Sequence, residues 1–334
     1  MDLSIIIVNY KTPQLLADCL RTVYAQTTAI SFEVLVVDND SGDNSRELVT
    51  RAYPAVQWIQ MTYNAGFARA NNEGIRQAKG KAVLLLNSDT LVEDQAIEKN
   101  YRLFMAADYV ACGVQLLNAD RTPQISGNYF MKGGLNYLLP LPYLGSLVKW
   151  LGNLAKVKKP NVPEATDVVA VDWINGAYLM VKMPAIEKAG LMDEDFFLYS
   201  EEAEWCSRLC KVGKLCIYGD LHVVHLQGET SAQAFNSSDK GYYNLYDRKG
   251  LQIMLSNFVR IRKQFGVGWF LFMLSCYSLT VPVFFIGSFF EHLFRLHNPF
   301  RDLSRAVRFA RNVGKLWSYL GLIISNKPYF YKVL

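Results

Sequence analysis

Apolar residues in the first third of the chain come in short runs, each closed by a polar cluster. The pattern predicts strands over Leu3–Val8, Phe32–Val37, Val56–Met61 and Ala82–Leu86. Short apolar runs bounded by turn residues fit strands buried on both faces of a sheet. Between them, helical patterning runs from Thr12-Pro13 to about Gln26, over Ser45–Ala52, over Phe67–Ala78 up to Gly80, and over Glu93–Ala107. Pro13 sits early in its helix, where the missing N–H has no intrahelical partner to lose. Strands alternating with helices at this spacing imply an α/β chain with a doubly wound sheet and right-handed crossovers.

Each predicted strand ends in polar residues: Asn9-Tyr10, Asp38-Asn39, Asn64-Ala65-Gly66 and Asn87-Ser88-Asp89. Taken singly, such clusters are ordinary turn chemistry. In a doubly wound sheet, however, the ligand site lies beyond the carboxyl ends of the strands. Four successive clusters there favour one shared polar site.

The second half is less regular at first. Between Asn118 and Thr166 the stretch Tyr137–Leu151 is apolar with several Pro and Gly, and Lys156–Pro160 is basic. It fits an acceptor-side loop or a membrane-contacting insertion. Strands are expected over Val168–Val171, Tyr178–Val181 and Cys216–His225, and a helix over Glu201–Val212. From Gly266 to Phe290 no residue is charged, and Pro282 interrupts the run. About 20 apolar residues suffice to cross a bilayer. Yet Arg260, Arg262 and Lys263 precede the run, and Arg295, Arg301, Arg305, Arg308, Arg311 and Lys315 follow it. A single span would place one basic flank outside, against the positive-inside tendency. The expectation is a re-entrant hairpin turning near Pro282, or interfacial helices, with both flanks cytoplasmic.

Composition narrows the classes. The chain has 334 residues, 51% of them hydrophobic, which excludes a disordered protein. A net charge of +5 is too small to argue for nucleic acid, and none is expected as a partner. Basic residues beside apolar runs suit anionic lipid headgroups better. Cys19, Cys112, Cys206, Cys210, Cys216 and Cys276 form no C-x-x-C pair and fit free thiols in a reducing compartment. A zinc site from Cys206, Cys210 and Cys216 with His222 or His225 is not expected, because no tight ligand knuckle is present. Met1-Asp2 leads directly into the first strand without a basic n-region, so no secretory leader is expected. Neither G-x-G-x-x-G nor G-K-S/T occurs, which argues against nicotinamide cofactors and P-loop nucleotides.

Two constellations carry chemistry. Asp89 follows an apolar strand, where a carboxylate can hold a divalent cation beside a diphosphate. The run from Met192 to Glu204 sets Asp193, Glu194, Asp195, Glu201, Glu202 and Glu204 among aromatics. Acids in such surroundings suit general-base work, since apolar neighbours raise a carboxylate pKa while a helix N-terminus opposes the rise. The plainer role is stabilisation of the helix dipole.

The ordered motifs I-I-I-V-N-Y, V-V-D-N-D-S, N-A-G-F-A-R-A-N-N, L-L-L-N-S-D, W-I-N-G-A, M-D-E-D-F-F-L-Y-S-E-E-A-E and V-V-H-L-Q-G resemble glycosyltransferase family 2 over roughly residues 1 to 255. They are most similar to the rhamnosyltransferase-like branch that builds bacterial surface polysaccharides. The resemblance implies the GT-A fold, a Rossmann-like mixed sheet flanked by helices. It implies a catalytic domain over 1–255, with a nucleotide-binding half at 1–115 and an acceptor half at 116–255. A helical, membrane-associated region would follow at 256–334.

By the same resemblance Asn9, Tyr10, Asp38, Asn39, Asn64, Gly66, Phe67, Asn71, Asn87 and Ser88 line the donor site, with Arg69 in the same run. Tyr10 and Asp38 would meet the nucleobase. Asp89 takes the place of the metal-binding acid, with Mg2+ or Mn2+ as cofactor, and His225 that of a late metal or diphosphate contact. Trp173, Asn175, Gly176 and Ala177 correspond to the acceptor side. Glu202 takes the place of the catalytic base, with Asp193 and Glu201 as neighbouring candidates. The sequence departs from the family in having Glu201-Glu202-Ala203-Glu204 for Glu-Asp-x-Asp, Leu226 where a second His is common, and Asn87 for the first acid of D-x-D.

The implied function is an inverting, metal-dependent transfer of a sugar, rhamnose foremost, from a dTDP- or UDP-sugar to a lipid-linked saccharide at the cytoplasmic face of the inner membrane. The competing reading is a catalytically inactive sugar-nucleotide-binding scaffold of a polysaccharide assembly complex. A nucleotidyltransferase would show a Gly-rich triphosphate loop near the N-terminus, and none is present.

Overall fold

The computed structural model describes residues 1–157, 160–226 and 244–333. The chain opens with β1 (Leu3–Asn9), α1 (Pro13–Gln26), β2 (Phe32–Asp38), α2 (Ser45–Ala52), β3 (Gln57–Gln60), α3 (Gly66–Gln77) and β4 (Ala82–Asn87). There follow β5 (Thr90–Val92), α4 (Ala96–Ala106), β6 (Ala111–Leu117), β7 (Gly127–Asn128) and α5 (Leu144–Leu154). Next come β8 (Asn161–Val162), β9 (Val168–Val171), β10 (Trp173–Ile174), β11 (Tyr178–Lys182), α6 (Met183–Ala189), α7 (Glu201–Leu209) and β12 (Leu215–His225). The last elements are α8 (Arg248–Phe265), α9 (Val267–Phe294), α10 (Leu303–Ser318) and α11 (Leu320–Ser325).

The residues group into two units, each with its own interior. The first comprises residues 1–129, 161–197 and 201–226. Its mixed sheet runs β3-β2-β1-β4-β11-β6-β12-β5, and β9 pairs with the first part of β12 along the same edge that β5 takes further on. β1, β2, β3 and β4 are mutually parallel, with Asn9 level with Asp38 and Val8 level with Asn87. The carboxyl ends of the first strands therefore share one edge, as the alternation of runs required. β11 enters antiparallel beside β4, and β12 lies parallel to β6. Leu3, Ile5, Ile7, Val34, Val36, Leu84 and Leu86 point into one core with Leu16, Leu20, Val23 and Phe104 of the covering helices.

The helix expected from Glu93 begins only at Ala96. Thr90–Val92 is claimed by pairing with Val223–His225, and Asp94 and Gln95 turn the chain with φ of 48° and 56°. That pairing is long-range and has no local signature.

The second unit contains residues 130–157, 198–200 and 244–333. Segment 130–157 packs with the C-terminal helices. Within this unit α9 is a single helix of 28 residues, which corrects the expected hairpin at Pro282. Proline inside a helix removes one hydrogen bond. Here the buried stripe Phe270, Met273, Leu274, Tyr277, Thr280, Phe284, Ser288 and His292 continues on both sides of Pro282. The hydroxyls of Ser275, Ser278 and Thr280 donate to the carbonyls four residues earlier. Continuous packing and this added hydrogen bonding carry the helix through the proline. The other face of α9 exposes Leu279, Val283, Ile286, Phe290 and Phe294.

Candidate functional site

At the carboxyl end of β4 the chain turns through Asn87-Ser88-Asp89, and β12 ends beside it at His225. Asp89 and His225 are both buried, and Asp89 Oδ1 lies 3.4 Å from His225 Nε2. The other ring nitrogen, Nδ1, is 2.9 Å from Gln124 Oε1. The Gln124 amide orientation follows from its other contacts. Its Nε2 donates to the His225 carbonyl at 2.6 Å and to Asn118 Oδ1 at 2.8 Å, so the oxygen faces the ring. Nδ1 therefore carries the hydrogen, and in the neutral imidazole Nε2 presents its lone pair towards Asp89. Asn87 Nδ2 lies 3.4 Å from the same Nε2. A carboxylate oxygen and an imidazole lone pair facing one another repel unless a cation or proton lies between them. This donor pair fits a divalent cation. Among the described residues no group of three or more His, Cys, Asp or Glu could hold a metal by itself.

The ends of β1 and β2 are tied together by their own polar residues. Asn9 Nδ2 donates to Asp38 Oδ1 at 2.7 Å and to Ser41 Oγ at 3.1 Å. Asp38 also accepts from Ser41 Oγ, the Ser41 amide and Gln60 Nε2. Thr12 Oγ1 donates to Asn9 Oδ1 and meets Ser88 Oγ at 3.2 Å, which links this loop to the β4 end. Asn9 is fully buried, and both Asp38 oxygens are satisfied within the protein. The residues expected to touch the donor thus first build the loop that would receive it. Beside them a groove of about 540 Å³ is lined by Asp38, Asp40, Arg46, Trp58, Gln60 and Thr62, among others. Tyr10 stays half-exposed at the β1 end, with Lys11 Nζ 5.3 Å from its ring centre.

The third cluster opens α3. Asn39 donates to Asn64 Oδ1 and the Gly66 carbonyl and accepts from the Ala65 amide, while Asn64 Oδ1 accepts from the Gly66 amide. Gly66 has φ of 78°, and a Cβ there would stand 2.1 Å from the Phe197 carbonyl oxygen. Only glycine meets both demands. The close approach lets the Phe67 amide donate to that carbonyl at 2.9 Å. Asn71 is buried and donates to the Phe67 carbonyl, so it braces the first turn. Arg69 donates to the Glu194 carbonyl and the Tyr63 hydroxyl, a bracing role the sequence did not suggest.

Those contacts fasten α3 to the acidic run. Asn72 exchanges hydrogen bonds with the Met192 backbone and also reaches Glu194. Asp193 caps its own turn by accepting from the Asp195 amide. Tyr199 and Ser200, with φ of 73° and 66°, then turn the chain into α7 at Glu201. Two successive non-glycine residues in the left-handed region store strain beside the acids.

The three glutamates of α7 differ in environment. Glu204 is clamped by the Arg208 guanidinium at 2.7 to 3.0 Å, a structural pair. Glu201 is buried, and its Oε2 has no hydrogen-bond partner. Burial, and then the neighbouring Glu202 charge, pushes its pKa well above the ordinary value, so the neutral acid is favoured. Glu202 is half-exposed, and its Cβ and Cγ lie 3.6 Å from where a Cβ on Gly176 would stand. The Phe67 ring lies 3.5 Å from the same point. Phe67, Gly176 and Glu202, which lie apart in sequence, therefore meet. Asn175 holds this turn by accepting from the Ala177 amide, and the Ala177 carbonyl accepts from the Asn87 amide. Trp173 is half-buried on β10, and its buried Nε1 has no hydrogen-bond partner.

Gln124, Gln60, Ser41, Arg46 and Trp58 were not singled out from sequence. Ser41 stood inside a quoted motif. Gln124 had no signal, because an isolated Gln gives no hint of a histidine 101 residues away. Gln227 and Gly228, the end of the last motif, lie outside the described residues.

Residues 4–155 match the family model described as glycosyl transferase family 2. A low-salt glycan biosynthesis hexosyltransferase, Agl10 of Haloferax volcanii, is 28% identical over 212 residues, 62% of this chain and 61% of its own length. The chain thus spans about three fifths of that relative. Among solved structures, Staphylococcus aureus TarS 1-349 in complex with UDP-GlcNAc superposes with a TM-score of 0.50 at 14% identity, covering 79% of this chain and 67% of that one. GalNAc-T7 with UDP, GalNAc and Mn2+ gives a TM-score of 0.50 at 14% identity, covering 67% of this chain and 43% of that one. These likenesses establish the fold, a mixed sheet of the GT-A kind flanked by helices.

Proposed function

Residues 4–155 match glycosyl transferase family 2, and from that likeness we propose that the chain is a transferase of this family that moves a sugar, with inversion, from a dTDP- or UDP-sugar to a hydroxyl of a lipid-linked saccharide. The observation that carries the reading is the pairing of Asp89 with a His225 whose tautomer Gln124 fixes. Asp89 and His225 would hold Mg2+ or Mn2+. When bound, the cation neutralises charge that builds on the departing diphosphate.

Glu202 accepts the proton of the acceptor hydroxyl as that oxygen bonds to the anomeric carbon and the nucleotide diphosphate leaves from the opposite face. Beside it, burial favours the neutral acid at Glu201. Phe67 and Gly176 form the wall beside Glu202, and the small Gly176 leaves room for a sugar. The groove at Asp38, Gln60 and Thr62 receives the nucleobase, with Tyr10 at its margin. Rhamnose is the favoured sugar by likeness of motifs, with hexoses next.

The exposed face of α9 and the arginines that follow it support association with the cytoplasmic face of the inner membrane. The test is nucleotide release from a panel of dTDP- and UDP-sugars by the full chain, with Mn2+ or with chelator. Release from one donor that needs the metal supports the reading. Binding of a donor with no release under any condition would favour the inactive scaffold.

A further inference from the structure

Helix α8 carries a polar stripe that the transfer chemistry does not use. Gln252, Ser256, Arg260 and Gln264 recur at four-residue steps with Asn257 beside Ser256, and all but Gln264 are buried. Most of the stripe is accounted for. Gln252 donates to Ser256 Oγ and the Tyr331 carbonyl, Ser256 donates to the Leu198 carbonyl, and Asn257 accepts from Ser200 at 2.6 Å.

Arg260 is different. It is 4% exposed, and none of the ion pairs among the described residues includes it. Its guanidinium carbon lies 4.6 Å from the Phe130 ring centre and 5.7 Å from that of Tyr137. NH1 donates to the Tyr137 hydroxyl at 2.5 Å, and Nε has no hydrogen-bond partner. Aromatic rings stabilise the face of a guanidinium but cannot accept its in-plane N–H groups. A buried cation left in this state is costly unless an anion completes it.

The aromatic frame is held in place. Gly133 and Gly134, with φ of 66° and 73°, fold the loop so tightly that a Cβ on Gly133 would enter the Trp269 ring. The Tyr277 hydroxyl donates to the Tyr137 carbonyl at 2.9 Å. A planar fork of donors in a fixed frame matches the oxygens of a phosphate. The same unit exposes Leu147, Trp150, Leu151 and Leu154 along α5, besides the apolar face of α9. Its surface thus suits hydrocarbon, while among the described residues no acid pairs with the buried Arg260.

We propose that Arg260 is an anion-binding residue that takes the phosphate of an amphiphilic substrate at the guanidinium edge. The amphiphile rests on the reading of the acceptor as lipid-linked; the anion site does not.

The experiment uses the full chain, without donor, and reads binding by calorimetry and by thermal shift. The probes are farnesyl phosphate, farnesol and inorganic pyrophosphate. Farnesyl phosphate should bind and raise Tm, and Arg260→Met should weaken it at least tenfold while leaving any weak farnesol binding unchanged. Without ligand, Arg260→Met should match or exceed the wild-type Tm, because it replaces an unpaired buried cation by an apolar chain of similar reach. A fall in Tm, or failure of Arg260→Met to fold, would assign Arg260 to the framework and overturn the inference. Equal farnesyl phosphate binding by both proteins would overturn it too. Pyrophosphate binding as tightly as farnesyl phosphate would exclude an amphiphile as the ligand. Because no turnover is read, a protein that binds farnesyl phosphate through Arg260 yet releases no nucleotide from any donor would retain this site and lose the transferase reading.

Discussion

Gln124 selects the tautomer of His225. Its amide nitrogen donates to the His225 carbonyl at 2.6 Å, while its amide oxygen faces the His225 Nδ1 at 2.9 Å. One side chain therefore anchors both the backbone and the ring, and it aims Nε2 at Asp89. Replacing Gln124 by Leu removes the anchor without touching either proposed metal ligand. Loss of such a supporting contact typically weakens metal affinity by about 10–100-fold. Mn2+ titration by paramagnetic resonance should show a drop of this order in Gln124→Leu and no specific binding in Asp89→Ala. Unchanged affinity in both variants would remove the metal from this site.

Glu202 and Glu201 are adjacent but separable. General bases contribute typically ~10²–10⁴-fold, so Glu202→Gln should lower kcat by about that factor with little change in donor affinity. Its pH–rate profile should lose the acidic limb. Should the limb persist there and disappear in Asp193→Asn, the base is Asp193.

Glu201 gives a prediction about stability. Its folded pKa is raised by burial above the ordinary 4.5. A raised acid releases its proton more readily when unfolded, so stability is greatest below 4.5 and falls as pH rises towards the folded value. Beyond that value it levels off. Glu201→Gln removes the titration. Denaturant unfolding from pH 4 to 8 should show a decline in the wild type that is shallower in the variant. Parallel curves would mean that Glu201 ionises normally in the folded protein.

Gly66 and Gly42 share a left-handed backbone but not their surroundings. Around Gly42, with φ of 66°, a Cβ would meet nothing within 4 Å, whereas at Gly66 it would strike the Phe197 carbonyl. Gly42→Ala should cost about 1–2 kcal/mol from conformation alone. Gly66→Ala should cost clearly more and should also impair donor binding, since Phe67 and α3 must move. Gly176→Ala adds only ordinary contacts at 3.5–3.6 Å, so its Tm should hold while activity falls as the sugar space narrows. Equal unfolding midpoints for Gly42→Ala and Gly66→Ala would contradict the close approach.

The membrane reading predicts how the C-terminal helices respond to charge. Leu279 is 67% exposed on α9, and Arg305 and Arg308 follow on α10. Each basic residue near an anionic surface is worth about 1 kcal/mol. Arg308→Ala should therefore weaken sedimentation with phosphatidylglycerol vesicles roughly fivefold. Leu279→Asp should weaken it on neutral and anionic vesicles alike. Sedimentation unaffected by either change would detach α9 from the lipid.

The α/β order was legible from the residues alone, because alternating apolar runs and amphipathic stretches are local, and burial on two faces leaves a run like Leu3–Val8 little choice but a central strand. The residues alone also placed Asp89, Gly66 and the acids of α7 at element ends, where turn chemistry is visible. Tertiary structure decided what the linear pattern cannot carry. β5 exists because Val223–His225 pairs with it, and α9 passes through Pro282 because packing continues on both sides. Gln124 acquired its role from a histidine 101 positions later, and Asn9 and Asn71 became struts because burial left them only protein partners. Strand and helix periodicity are set by neighbours in sequence. A site is set by which chain ends meet in space, and that depends on pairings whose entropy cost is offset only when the whole sheet forms.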